Sequence, residues 1–276
     1  GNSSTNFTDD ASSLVFAGEQ THDNGLTTSF YLDFDGFGDL GDDDDTFVTD
    51  EYHIGFAGDF GQIKIGNEGD VTGPVFDVVD VAEGTGLTLP SGGASTEVVQ
   101  YIANDMNGIN FAVQTQINGD QQKNEDGSST SFGGIITADL GGFTLGAGYD
   151  ERANVSEEPT YGLMVATTLS GVDISVNYVV EDDYVVDEDT DLLGDAEFFG
   201  IAASYGFGAG KLDGALNKVS LNDIGGADSA SEDFTQYLVG VTYNVTSNAY
   251  VYGEVSSQDL ENDENDSMSV GVSYSW

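Results

Sequence analysis

Met268-Ser-Val-Gly-Val-Ser-Tyr-Ser-Trp276 decides the reading of this chain. Met268, Val270, Val272, Tyr274 and Trp276 fall on one face of an extended segment, and Ser267, Ser269, Gly271, Ser273 and Ser275 fall on the other. Successive side chains of a strand point to opposite faces. An apolar face this regular, opposite serine and glycine, suits a strand lying between lipid and a watery lumen. A soluble sheet alternates as well, so the weight comes from recurrence. About fifteen such segments run along the chain. Phe143, Leu145, Ala147 and Tyr149 oppose Thr144, Gly146 and Gly148; Tyr237, Val239, Val241 and Tyr243 oppose Leu238, Gly240, Thr242 and Asn244. Many aromatics stand at the ends of their stripes, where a girdle at a membrane interface would sit.

The connections sort into two kinds. Short turns at 22–25, 58–61, 107–108, 141–142, 170–171, 206–210 and 245–248 carry Gly or Asn, the residues that supply positive φ in tight hairpins. Long, carboxylate-rich connections occupy 38–45, 68–94, 118–130, 150–159, 181–195, 221–233 and 257–266. Short turns at one end and long polar loops at the other describe a transmembrane antiparallel β-barrel. A β-sandwich would not separate its connections in this way. Bacterial single-chain barrels have even strand numbers, and an open sheet would leave unpaired edges in lipid. The expectation is a sixteen-stranded parent, with either a strand preceding this sequence or Gly1–Asp10 closing the barrel. Residues 1–276 form one domain in this reading.

Composition excludes several functions. The 276 residues include 50 acidic and 5 basic side chains, for a formal charge of −45. So few cations cannot neutralise nucleic-acid phosphates or dock on anionic lipid by a basic patch. Such charge repels itself strongly at low salt, while the screening length falls to ~3 Å in molar salt. A saline habitat is one explanation; an acidic surface kept for solubility is the other. Cysteine is absent, which rules out disulfides and thiolate metal sites. His22 and His53 are far apart in sequence, without the spacing of a zinc site or a partner set for a hydrolytic serine. No Gly-x-Ser-x-Gly elbow occurs. The reading therefore gives no enzyme and no cofactor.

In order and spacing, the motifs resemble those of the general trimeric porins of Gram-negative bacteria. Ser12-Ser-Leu-Val-Phe-Ala-Gly-Glu19 resembles that family's second strand, and Asn24-Gly-Leu-Thr-Thr-Ser-Phe-Tyr-Leu-Asp33 its next hairpin. Tyr52-His-Ile-Gly-Phe-Ala-Gly-Asp-Phe-Gly-Gln-Ile-Lys-Ile-Gly66 is similar to the strand pair leading into the third loop. Gly73-Pro-Val-Phe-Asp77 stands where the family has its constriction loop, and the terminal aromatic matches an assembly signal. The resemblance covers essentially the whole chain. It implies an outer-membrane homotrimer in contact with lipid and lipopolysaccharide. It assigns 68–94 to the constriction loop, Tyr274 and Trp276 to the girdle and assembly signal, and Ser13, Ala17, Asp33 and Asp50 to the pore wall. Where the family carries wall arginines and lysines, the resemblance places Ser13, Ala17 and Asp50 in this chain. The transverse field of those pores would be largely missing, and the implied pore prefers cations.

The segment 68–94 contains Asp70, Asp77, Asp80 and Glu83 among Val75, Phe76, Val78, Val79 and Val81. Those apolar residues would be wasted on an exposed loop. Folded into the lumen, they could pack on the wall and aim the four carboxylates at the pore; an extracellular lid or a trimer contact is the alternative. Asp187, Asp189 and Asp191 have the alternate spacing of a calcium loop, but Leu192 stands where an EF-hand needs glycine. Loosely associated divalent cations at the mouth are the expectation. The function predicted is a diffusion channel for small hydrophilic solutes and cations. The rival is a secreted, acidic, β-rich adhesion or calcium-binding protein whose apolar stripes face a closed core.

Overall fold

The computed structural model describes residues 13–35, 48–83, 86–90, 97–117, 131–151, 159–187, 192–226, 231–259 and 264–275. Its strands are β1 (Ser13–Thr21), β2 (Thr27–Asp35), β3 (Val48–Gly58), β4 (Gly61–Asn67) and β5 (Val98–Ile102). β6 (Ile109–Gln116), β7 (Ser131–Asp139), β8 (Phe143–Glu151), β9 (Thr160–Leu169) and β10 (Val172–Asp187) follow. β11 (Leu192–Phe207), β12 (Gly210–Asn222), β13 (Glu232–Thr246), β14 (Ala249–Asp259) and β15 (Glu264–Tyr274) complete the sheet. Each strand pairs antiparallel with its neighbour in sequence, from β1 through to β15. Among the described residues β1 and β15 are not paired with each other. Gly1–Asp10, the segment suggested as a closing strand, lies outside the described residues, as does Trp276.

Turn chemistry fixes the registers. Asn107 and Gly108 have φ of 60° and 86°, and Ser170 and Gly171 have 55° and 84°. Two consecutive positive φ values match the right-handed twist of the flanking strands, so two-residue hairpins form there. A one-residue slip would turn every apolar side chain inward. The registers instead align the stripes: Leu163 faces Tyr178, Tyr178 faces Phe199, and Ile201 faces Leu216 across the ladder.

One boundary differs from the sequence reading. The connection expected at 181–195 is mostly strand, because β10 and β11 continue into it. Glu181 pairs with Ala196 and Tyr184 with Gly194, across a bulge. Tyr184, Val185 and Val186 supply the aromatic and β-branched side chains that strands favour, and Tyr184 packs edge-on against Phe198 at 5.4 Å. The high local count of carboxylates hid this extension. Asp189 and Asp191 lie outside the described residues.

The outward stripes remain uncovered. Leu163 is 62% exposed and Val239 54%, whereas inward-facing Val179, Phe198 and Val219 are fully buried. The inward residues are covered by the chain between β4 and β5, which carries the single turn α1 (Gly73–Phe76). That segment bonds Gln100 on β5 near its start and Glu254 on β14 near residue 83. One short segment can reach both strands only if the sheet curls around it. The architecture is an antiparallel β-barrel with its long third loop folded into the lumen.

Candidate pore constriction

The inserted segment is held by side chains of the wall acting on its backbone. The Gln100 amide donates to the carbonyl of Gly69 (2.6 Å), and Gln114 Oε1 accepts from the Val71 N–H (3.1 Å). Further along, Asn177 donates to the carbonyl of Phe76 and Ser175 Oγ to that of Val78 (3.0 Å). Gln236 Oε1 accepts from the Thr88 N–H (2.7 Å), while Asn217 donates to the Thr88 carbonyl. An irregular backbone inside a barrel has no ladder of its own, so its polar groups need partners of this kind. Every one of these six wall side chains is uncharged.

Between the polar contacts the segment buries an apolar face. Val75, Phe76 and Val79 have no more than 1% of their surface exposed. They join Met164, Val179, Ala196, Phe198 and Val219 on one side and Ala202, Ala215 and Leu238 on the other. Burying each such side chain contributes roughly 1.5–3 kcal/mol. The apolar run in a carboxylate-rich connection is thus explained by the wall it covers.

The four acids expected on this segment divide in two. Asp70 is engaged at the root: its carboxylate accepts from the Thr72 N–H (2.9 Å), the Thr72 hydroxyl and the Gln114 amide (2.6 Å). Asp77 follows α1 and its backbone N–H closes that turn on the Gly73 carbonyl. Asp80 and Glu83 lie near β14. Glu254, which the sequence reading did not single out, accepts the Glu83 N–H, and Tyr250 donates its hydroxyl to the Glu83 carboxylate (2.9 Å). Burial by the surrounding wall raises the pKa of Asp80, and Glu254 adds to the rise; a backbone hydrogen bond from Ala82 opposes it.

The wall positions lie across the first strands. Ala17 pairs with Tyr31, and Tyr31 with His53, so Ser13, Ala17, Asp33 and Tyr31 share the inward face. Tyr31 stacks on the His53 ring at 5.5 Å and donates to Asp33 (3.2 Å). Lys64 holds Glu68 at 2.6 Å, and His53 also meets that carboxylate. A bulge in β3 sets Asp50 and Glu51 together against Asp33. Asp50 is exposed, and Glu51 takes the place beside Gly69 at the root of the segment. Sequence alternation could not locate this bulge, which shifts the inward position by one residue.

Toward the short turns lies a cavity of about 500 Å³, lined on the segment's side by Val78 and Val81. Its wall carries Thr144, Thr168, Asp173 and Ser204, with Asp139 at one edge. Each carboxylate here has a hydroxyl from a neighbouring strand: Thr144 to Asp139 (2.8 Å), Thr168 to Asp173 (2.6 Å) and Ser204 to Asp213 (2.5 Å). Lys211 lies 3.2 Å from Asp213. Among the described residues, no group of three or more His, Asp or Glu side chains is arranged to hold a metal ion. Nor does any helix there have the length and apolarity to cross a membrane. What the site can do is pass solutes through a passage that its own carboxylates line.

Comparison with known proteins agrees with this geometry. Residues 1–265 match the model of the Gram-negative porin family. The chain is 26% identical to a monosaccharide porin of a Halomonas species and to the major outer membrane protein of Halomonas elongata, over 96% of this chain and 83% of each relative. Among solved structures it is similar to OmpF of Salmonella typhi in complex with daunomycin, with TM-score 0.79, 17% identity, and coverage of 99% of this chain and 93% of that one. An anion-selective porin from Comamonas acidovorans gives TM-score 0.76 and 16% identity, covering 96% and 90%. OmpT of Vibrio cholerae in its trimer form gives 0.72 and 16%, covering 98% and 95%. The chain belongs to the Gram-negative porin family and is an outer-membrane diffusion channel, not an enzyme.

Proposed function

We propose that the channel is cation-selective and passes small hydrophilic solutes, neutral sugars among them. The observation that carries this is the pairing of the inward charges. Among the described residues the inward lysines Lys64 and Lys211 each lie against a carboxylate, Glu68 and Asp213. Asp80, Glu83, Asp139 and Asp173 have hydroxyl or backbone partners, or other acids, beside them and, among the described residues, no lysine. A low-dielectric channel lined by one sign of charge concentrates counterions and excludes co-ions. An anion-selective porin shares this fold, so the backbone leaves the sign of selectivity open and side-chain charge decides it. The relative named as a monosaccharide porin supports sugars as solutes.

In this reading Asp80 and Glu83 act at the constriction, with Asp70 and Asp77 shaping the segment that carries them. Ser13, Ala17 and Asp33 form the facing wall, joined by Glu51 beside Asp50. The working unit is a homotrimer in lipid and lipopolysaccharide, as the trimeric relative supports. The charge of −45 suits a saline setting, with divalent cations loosely held at the mouth. Reversal potentials across planar bilayers under a potassium chloride gradient test the proposal. Preference for potassium is expected. Preference for chloride would overturn the selectivity.

A further inference from the structure

We infer that the bore of this channel is set by four wall glycines, Gly146, Gly148, Gly162 and Gly200, which fix how deeply the inserted segment sinks against the barrel. The inference rests on the channel function and names its size-determining positions. The four lie on β8, β9 and β11, on the inward face, directly beneath the apolar side chains of the segment. A Cβ on Gly162 would stand 2.5 Å from two ring carbons of Phe76, and one on Gly148 would stand 2.7 Å from the same ring. At Gly146 the added atom would lie 2.7 Å from the wall side chain Met164 and 3.0 Å from Val75, and at Gly200 it would meet the wall amide of Asn177 as well as Val79 at 2.7 Å, so these two glycines make room for segment and wall together. Carbon atoms pack at about 3.5–4.0 Å. The Phe76 ring therefore occupies space that any other residue at 148 or 162 would fill.

The partner that yields is the segment. The wall here is pinned on both sides by continuous ladders, β7 to β8, β8 to β9 and β9 to β10. The segment has only its single turn and its side-chain tethers. Alanine at Gly162 or Gly148 pushes Phe76 about 1 Å off the wall, and that displacement is directed into the lumen. Solute size selection is then written in the residues that lack a side chain, as much as in the carboxylates that face the passage. Gly206 supplies the contrast: it is an inward position on β11 with nothing within 4 Å of an added Cβ.

The test measures single-channel conductance and the entry of neutral sugars of graded size into liposomes. It uses the full chain and the variants Gly162→Ala, Gly148→Ala, Gly206→Ala and Gly162→Ala/Phe76→Ala. Gly162→Ala and Gly148→Ala should lower conductance about 1.5-fold and shift the size cutoff downward, since ~1 Å of displacement removes much of a narrow cross-section. Gly206→Ala should match the wild type, and removing the Phe76 ring should restore the Gly162→Ala channel. Wild-type conductance in assembled Gly162→Ala, or no recovery in the double variant, would overturn the inference. If Gly162→Ala does not assemble, Gly148→Ala with and without Phe76→Ala decides on the same criteria, since only the Phe76 ring stands against Gly148. A wild-type protein that forms no channel would instead refute the channel function itself.

Discussion

Gln114 and Val71 stand 43 residues apart in sequence, yet the side-chain amide oxygen of one accepts the backbone N–H of the other at 3.1 Å. The contact is typical of how the constriction is fastened. Wall amides and a wall hydroxyl take most of the bonded backbone groups of the segment, Glu254 takes the Glu83 N–H, and buried apolar surface supplies much of the remaining hold. In a protein with a charge of −45, this matters. Ion pairs between exposed groups weaken as salt screens them, with the Debye length falling from ~10 Å at 0.1 M to ~3 Å at 1 M. Neutral hydrogen bonds and buried apolar surface are not screened.

The first prediction is that the seat of the segment is insensitive to salt. Hydrogen-exchange protection at Val71, Phe76 and Val79 should change little between 0.1 M and molar salt, while overall thermal stability rises with salt as carboxylate repulsion is screened. Asn217→Ala should loosen the seat at every salt concentration. It leaves the Thr88 carbonyl without the amide that now donates to it, at a cost of about 1–3 kcal/mol if that carbonyl stays buried. A seat that loosens steeply with salt would contradict the neutral-latch account.

A second prediction concerns pH. The pKa of the Asp80 carboxyl is raised from its ordinary value because burial disfavours its charge and, to a lesser degree, because Glu254 lies near. On acidification it becomes neutral at a higher pH than an ordinary aspartate would. Potassium preference should therefore begin to fall while ordinary carboxylates are still ionised, and Asp80→Asn should remove this early step from the pH profile. The sign for stability is opposite to that of a salt-bridged acid. The native protein holds a proton that the unfolded chain has released, so this group's stabilising contribution is present at low pH. It is lost as pH rises from the ordinary carboxylate value through the raised one.

Charge pairing on the turn side gives a third. Asp213 is buried, accepts from Ser204 and lies 3.2 Å from Lys211. Asp213→Asn removes one negative charge and leaves the lysine without its nearest counter-charge. The potassium-to-chloride permeability ratio should fall about two- to fivefold, as expected for a net charge change felt through a partly screened lumen. Lys211→Met should move the ratio the other way. Reversal potentials of the two variants, measured side by side, check the pair.

The barrel was legible in the sequence because its signal is periodic and repeated. Stripes such as Tyr237, Val239, Val241 and Tyr243 need only alternation to be seen, and Asn107-Gly108 announces its hairpin by backbone chemistry alone. The inward fold of the connection 68–94 was legible chiefly through the family resemblance, with its valines and Phe76 as the supporting signal. What they pack against was not, because the seat is made by glycines on three distant strands and by neutral Gln and Asn side chains. None of these residue types signals a site until register brings them together. The bulge that puts Glu51 beside Gly69 was hidden for a related reason: one extra residue in β3 reverses the inside-outside parity of the positions beyond it. Glu254 was overlooked as one acid among fifty, and its distinction, 3% exposure beneath Glu83, is purely tertiary.

The last prediction separates lipid exposure from water exposure. Leu163 is 62% exposed and stands in the middle of β9, with Tyr161 and Val165 on the same stripe at 53% and 42%. On a water-soluble protein an exposed leucine tolerates a charged replacement at almost no cost. On a lipid-facing strand the same change costs roughly 2–4 kcal/mol for arginine near the bilayer midplane. Leu163→Arg should therefore destabilise the barrel folded into bilayers by that amount, measured by urea titration of folding. Thr168→Arg, near the turn end and on the opposite face, should cost much less because its side chain meets water. Equal, negligible costs at both positions would mean that the stripe faces water, and the membrane orientation derived from it would fail.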